Sequence, residues 1–133
     1  AASPEYLDKM GRPKHPKDLL SHNCIRPRLG AGIYERWEFE QKGKEFHVQV
    51  KGSLILNDSL VMLGAAVSGA GIIYTTEDAI RDKVRAGKLE IVLDQYACTS
   101  TGFYLYYPKR SQVLPKLRVF IEHIKSEGKI AAR

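Results

Sequence analysis

The stretch Leu54–Tyr74, LILNDSLVMLGAAVSGAGIIY, decides how this chain folds. Leu54, Ile55 and Leu56 read as a short buried strand. Asn57, Asp58 and Ser59 stop it, and each of these side chains is able to cap a helix. Leu60, Leu63, Val67 and Ala70 recur at i, i+3, i+7 and i+10, which places them on one helical face. Gly69 and Gly71 end the helix, because glycine enters the left-handed region at little steric cost. Ile72, Ile73 and Tyr74 begin a second buried run. The spacing predicts a strand–helix–strand unit, parallel and right-handed by the usual chirality of such crossovers. Its polar tripeptide falls where a strand's carboxyl end meets a helix amino end, the place at which open α/β sheets bind ligands.

The flanks extend this unit. Ala1–Ser3 reads as the tail of a strand arriving from upstream sequence. Pro4 suits the first turn of a short helix, Pro4–Met10, which Gly11 closes. His15–His22 predicts a second short helix with Pro16 near its start and Leu19 and Leu20 facing inward. Cys24–Arg28 follows as a strand, and Gly30-Ala31-Gly32 opens a loop. Trp37 and Phe39 then alternate with Arg36, Glu38 and Glu40, while Phe46, Val48 and Val50 alternate with Glu45, His47, Gln49 and Lys51. With Gln41–Lys44 as the turn, this is an antiparallel hairpin with one wet face, expected at the edge of a sheet.

Beyond Tyr74, the acids of Thr76-Glu77-Asp78 suit a helix start, and Ala79, Ile80 and Val84 continue it to Gly87. Leu89, Ile91 and Leu93 alternate as a strand. Tyr96–Gly102 reads as a loop and Phe103–Tyr107 as a strand covered on both faces. Ser111 or Gln112 begins the last helix, whose apolar face is Val113, Leu117, Phe120, Ile121 and Ile124, and Gly128 ends it.

Bulk properties narrow the function. A chain of 133 residues with 44% hydrophobic content suits one domain, or one lobe of a larger one. No apolar run approaches the roughly 20 residues of a bilayer span. Ala1–Glu5 has neither a basic start nor an apolar stretch, so no secretory leader is expected. The net charge of +6 comes from positives scattered among acids, which reads as solubility rather than a nucleic-acid face. Cys24 and Cys98 form no CxxC, and Cys24 beside Ile25 reads as an inert core thiol, so a reducing compartment is expected.

Familiar catalytic patterns fail residue by residue. Gly69-Ala70-Gly71 and Gly30-Ala31-Gly32 would need glycines at positions held by Tyr74 and Glu35 to become dinucleotide fingerprints. Gly87-Lys88 lacks the rest of a P-loop. His15, His22, His47 and His123 share no metal-ligand spacing with each other or with the cysteines. Ser59 lacks the GxSxG setting of a nucleophile elbow. The sequence therefore predicts no catalytic residue, no metal and no cofactor.

What remains is recognition. The free N–H groups and partial positive charge of a helix amino end favour a carboxylate or phosphate. Asp58 would oppose such an anion, so it is expected to turn away or cap, leaving Asn57 and Ser59 as the better contacts. Arg26 and Arg28, two apart, share one strand face opposite Ile25; arginine there either clamps a carboxylate or meets solvent. Trp37, Tyr104, Tyr106 and Tyr107 read as core or lobe-contact residues, with aromatic stacking on a ligand as the alternative.

Taken in order, these pieces resemble the effector-binding domain of LysR-type transcriptional regulators. The resemblance rests on Ala2-Ser3-Pro4-Glu5-Tyr6-Leu7 with Gly11-Arg12-Pro13, Pro16-Lys17-Asp18-Leu19, His22-Asn23-Cys24-Ile25 and Trp37-Glu38-Phe39. It continues through Asn57-Asp58-Ser59, Gly69-Ala70-Gly71-Ile72, Ala86-Gly87-Lys88-Leu89 with Leu93, Tyr106-Tyr107-Pro108 and Leu117-Arg118-Val119-Phe120-Ile121. Their order and spacing together carry the likeness. Two departures stand out: no winged helix-turn-helix or first effector lobe precedes these residues, and Thr75-Thr76 stand where many members carry Leu-Pro.

The resemblance implies an α/β lobe like those of type II periplasmic binding proteins, with a mixed, mostly parallel sheet, flanking helices and an antiparallel hairpin. Residues 1–102 would be the second lobe, and residues 103–133 a strand and helix returning toward a first lobe. It implies a non-catalytic sensing and oligomerisation domain of a cytoplasmic bacterial regulator. The effector would be a small organic acid or anion, the assembly a homodimer or higher oligomer, and DNA would be reached only through an N-terminal helix-turn-helix domain, with no membrane contact. Effector contacts carried over by position are Arg28, Asn57, Asp58, Ser59, Ile72 and Tyr74. With half of the cleft wall missing, these residues alone are expected to bind effector weakly or not at all. The alternative is a lobe of a periplasmic-type solute-binding protein.

Overall fold

A computed structural model describes residues 1–99 and 114–130. The chain divides into two compact units, Ala1–Thr99 and Ser100–Arg133. The expected strand Phe103–Tyr107, with Tyr104, Tyr106 and Tyr107, lies outside the described residues. So do residues 100–102 of the expected loop, Val113 and the helix start expected at Ser111 or Gln112.

Strand β1, Cys24–Leu29, organises the first unit, because the other strands of its sheet all pair with it. Strand β5, Ile55–Leu56, runs parallel to it through Arg26↔Ile55 and Pro27↔Leu56. Strand β6, Ile72–Ile73, is also parallel, through Cys24↔Ile72 and Ile25↔Ile73. The predicted strand–helix–strand unit therefore exists and is parallel, with β1 lying between its two strands. Strand β2, Gly32–Ile33, returns antiparallel on Arg28 and Leu29. Gly30-Ala31 thus forms a two-residue hairpin turn rather than a loop, with Gly30 at φ 58° in the left-handed geometry such turns demand. Ala1 exchanges two backbone hydrogen bonds with Ile73, and Ala2 does the same with Glu90.

Side-chain alternation along these strands divides the core by face. Cys24 and Ile72 join Tyr6, Leu7, Leu19, Trp37, Phe39, Val48 and Val50. Ile25 and Ile73, one residue on, join Met62, Ala66, Ile80 and Leu89. Fully burying one large apolar side chain of this kind contributes about 1.5–3 kcal/mol.

The first face is built by short elements. Helix α1, Pro4–Met10, starts on Ser3, whose Oγ accepts from Tyr6 N, and stops at Gly11 as predicted. Pro16–Ser21 is a 3₁₀ turn in which the His15 ring accepts from Lys17 N, while Asp18 accepts from the backbone of His15 and Lys14. Leu19 is buried but Leu20 is 58% exposed, against the inward reading. At three residues per turn, neighbours point about 120° apart, so both cannot face one core.

Strands β3, Arg36–Gln41, and β4, Lys44–Gln49, form the expected hairpin, with Trp37↔Val48 and Phe39↔Phe46 in register. Lys42 (φ 53°) and Gly43 (φ 73°) make its turn. The ribbon is a separate two-stranded sheet, not an edge of the main one. Packing of Trp37, Phe39 and Val48 onto the first face, rather than strand pairing, attaches it.

Helix α2, Ser59–Val67, corrects the predicted face. Met62 and Ala66 are buried, Leu63 and Val67 are half-buried, Leu60 is 76% exposed, and Ala70 lies beyond the helix. Every residue of SLVMLGAAV except Ser59 is apolar or glycine, so spacing alone marks no face. The sheet chose it, through packing of α2 on β1, β5 and β6. Leu54–Leu56 is likewise half-buried rather than buried, with Leu54 outside the strand. Gly69, at φ 79°, closes α2: its N–H bonds Ala66 O while Ala70 N–H reaches back to Ala65 O.

Helix α3, Glu77–Arg85, starts after Thr76, with acids in its first turn and Lys83 and Arg85 in its last. Ile80 is its buried residue and Ala79 is exposed. Leu89–Leu93 is not a strand: Glu90 makes a single bridge to Ala2. Leu93 then turns left-handed (φ 63°) into the 3₁₀ turn Asp94–Tyr96, so Ile91 is left 42% exposed.

In the second unit, helix α4 spans Pro115–Ile130. It begins at the proline, which suits a first helical position and disfavours helix in the residue before it. It also runs on through Gly128, where an end was expected. Ile121 is buried and Val119, Phe120 and Ile124 are exposed.

Candidate functional site

The carboxyl ends of β1 and β6 meet the amino ends of α2 and α3 around a crevice of about 220 Å³. Pro27 comes from β1, Ile73, Tyr74 and Thr75 from β6 and its exit, Ser59, Leu60, Met62 and Leu63 from α2, and Ala79 and Ile80 from α3. Among the described residues the polar groups are hydroxyls and backbone, and no lining residue is charged. Tyr74 is anchored, since its hydroxyl donates to Glu38 O at 3.0 Å. Burial pushes its pKa up to about 12, so it is a neutral phenol at physiological pH.

Asp58 caps α2 as expected, with Oδ1 accepting from Leu60 N and Val61 N, both at 2.9 Å. It therefore occupies amides that an anion would use and adds a negative charge beside them. Asp58→Ala is expected to cost about 0.5–2 kcal/mol of stability. Urea denaturation followed by circular dichroism measures it, and an unchanged midpoint would contradict the capping role.

The six residues named from sequence are not one cluster. Ser59 and Tyr74 share the crevice. Asn57 and Asp58 are exposed at its edge in sequence, between β5 and α2, and the corner is not plugged by apolar side chains. Arg28 is exposed near the end of β1. Ile72 is 1% exposed and points to the opposite face of the sheet, because it alternates with Ile73. It lines a second cavity of about 280 Å³, which also touches Trp37, Phe39 and Tyr74. Sequence reasoning missed Pro27 and Thr75; each adjoins a named residue, and for Thr75 the signal was the turn from β6 into α3.

Arg26, weighed as a carboxylate clamp, is spent inside the lobe. Its guanidinium donates to Glu35 Oε2 at 3.0 Å and to Gly52 O at 2.8 Å. Asn23 ties the same region from the other side: Nδ2 donates to Ala70 O at 2.6 Å and Oδ1 accepts from Ser53 N at 2.8 Å. Replacing Asn23 by Ala strips these bonds, and a third from Ser53 Oγ, and is expected to cost about 1–3 kcal/mol, read as a lower urea midpoint; an unaltered midpoint would contradict it.

The thiols are not activated. Burial pushes Cys24 up to about 12, and burial with Glu45, Glu38 and Glu40 raises Cys98. Among the described residues, no group of His, Cys, Asp and Glu is placed to hold a metal, and no helix is long and apolar enough to cross a membrane.

Comparison with known proteins bears on this geometry. The family model "LysR substrate binding domain" matches residues 1–129. The "Uncharacterized HTH-type transcriptional regulator YcaN" of Escherichia coli is 38% identical over 95% of this chain and 41% of its own length. The "Putative LysR family substrate binding domain-containing protein YagP", also of Escherichia coli, is 36% identical over 79% of this chain and 78% of its own. CrgA, a LysR-type transcriptional regulator from Neisseria meningitidis, has the same fold: its structure superposes with a TM-score of 0.76 at 23% identity, covering 95% of this chain and 42% of that one. This chain thus spans less than half of the length of YcaN and CrgA. With its sheet, its crevice and its sequence all in agreement, the chain belongs to the LysR substrate-binding domain family.

Proposed function

We propose that this chain is the sensing portion of a bacterial LysR-type transcription regulator and has no catalytic activity. The observation that carries the reading is the family match across residues 1–129, joined to an open crevice at the carboxyl ends of parallel strands. Residues 1–102 act as the second lobe and residues 103–133 as the segment returning toward the first. Ser59, Tyr74 and Thr75 contact a small-molecule effector, with Asn57 and Arg28 at the approach. Effector binding biases the orientation of two lobes and, through them, the dimer that positions separate DNA-binding domains in the cytoplasm.

The expectation of an acidic effector needs Arg28 in this lobe, since no basic residue lines the crevice and Asp58 already holds two amides. Those same facts favour a second reading, a neutral, hydroxyl-rich effector. The solute-binding alternative is weaker, because the relatives are named as regulators. Coding sequence upstream of Ala1 discriminates the two: a helix-turn-helix supports the regulator, and a secretory leader contradicts it.

Association is also expected. Val119, Phe120 and Ile124 expose apolar surface along α4, and such surface is normally covered by a partner. Light scattering of the chain at high concentration should give a dimer or larger. A monomer would contradict the oligomeric part of the reading.

A further inference from the structure

The second cavity shares Ile73, Tyr74, Thr75 and Ile80 with the effector crevice but has its own chemistry. Its walls include Trp37, Phe39 and Tyr74. The Trp37 and Tyr74 rings lie 5.5 Å apart, centre to centre, and Phe39 meets Tyr74 edge-on at 6.1 Å. Glu77 and Asp94 also line it, and among the described residues no lysine, arginine or histidine does. Ala1 lines it too, and its backbone nitrogen donates to Ile73 O. Cys98, another lining residue, has its thiol pKa raised by burial first and then by Glu45, Glu38 and Glu40.

One polar group there is unexplained. The Trp37 Nε1–H is buried and meets no acceptor among the described residues. An orphaned buried donor costs about 1–3 kcal/mol unless something fills its place.

We propose that this cavity is a second ligand site, for an organic ammonium ion that also carries an oxygen acceptor. The aromatic walls attract a cation through their π faces. Glu77 and Asp94 balance its charge, and the acceptor oxygen takes the Trp37 N–H. The volume suits a ligand of about ten non-hydrogen atoms. The site adjoins the effector crevice, and Tyr74, Ile73, Thr75 and Ile80 line both.

Isothermal titration of the chain with acetylcholine tests this, with 3,3-dimethylbutyl acetate, its uncharged isostere, and tetramethylammonium, which has no acceptor, as comparisons. Acetylcholine is expected to bind at least about tenfold more tightly than the isostere. Glu77→Gln combined with Asp94→Asn should remove most of that advantage. Trp37→Phe keeps the aromatic wall but loses the donor, so it should weaken acetylcholine about fivefold and leave tetramethylammonium unchanged. Circular dichroism melts confirm that each variant is folded. Equal affinity for acetylcholine and its isostere, an unaltered affinity in the double variant, or no acetylcholine binding at millimolar concentration would overturn the proposal.

Discussion

Gly52→Ala is expected to unfold this protein or to cost about 3 kcal/mol or more. A Cβ on Gly52 would stand 1.9 Å from Cys24 O, 2.7 Å from its carbonyl carbon and 2.8 Å from its nitrogen. These are backbone atoms, so no rotamer change relieves the clash. Cys24 is also held in place: it pairs with Ile72, and its N–H donates to Lys51 O at 3.0 Å. Moving it would shift β1 against β6, the pair on which both core faces are built. Gly64→Ala is the control, because a Cβ there meets nothing within 4 Å and alanine favours the helix. Urea denaturation followed by circular dichroism should show Gly64→Ala at or above the parent midpoint and Gly52→Ala far below it. Similar midpoints for the two would contradict the close packing of residue 52 on β1.

Trp37→Ala carries the next largest effect. The side chain is 1% exposed and joins the ribbon to the sheet. Truncating a buried tryptophan costs about 3–5 kcal/mol, a large share of the 5–15 kcal/mol that ordinarily separates folded from unfolded states. A fall in melting temperature of about 10–20 °C is expected. Among the described residues no strand pairing joins the ribbon to the main sheet, so lost packing is not offset by pairing. Trp37→Phe should cost much less. A Trp37→Ala protein that melts within a few degrees of the parent would show that the ribbon is held in some other way.

How much of this was legible follows from which forces write themselves into sequence. Caps and turns did: Pro4 and Gly11 bound α1, Asp58 caps α2, and Lys42-Gly43 turns the ribbon, each through a local bond or dihedral requirement. Alternation located the ribbon register. Faces chosen by packing did not. Helix α2 is apolar on nearly every side, so only the sheet could select Met62 and Ala66 over Leu60. Leu89–Leu93 alternates like a strand but has only Ala2 to pair with.

The crevice was legible as a place more than as a set of lining residues. The Asn57-Asp58-Ser59 corner pointed to the junction of strand and helix, and the crevice opens there. Ile72 was placed on the wrong side, because strand parity sends it with Cys24 while Ile73 faces the crevice. Arg26 left no trace in the pattern of its engagement with Glu35 and Gly52, since both partners are distant in sequence.

Amide NMR of the chain, titrated with a panel of small polyols, amides and carboxylates, tests the central claim most directly, because it registers even weak binding residue by residue. The account predicts saturable shifts concentrated at Ser59, Leu60, Tyr74 and Thr75 for at least one class of compound. Saturable shifts that leave those four residues still, or a spectrum unmoved by every compound, would contradict it.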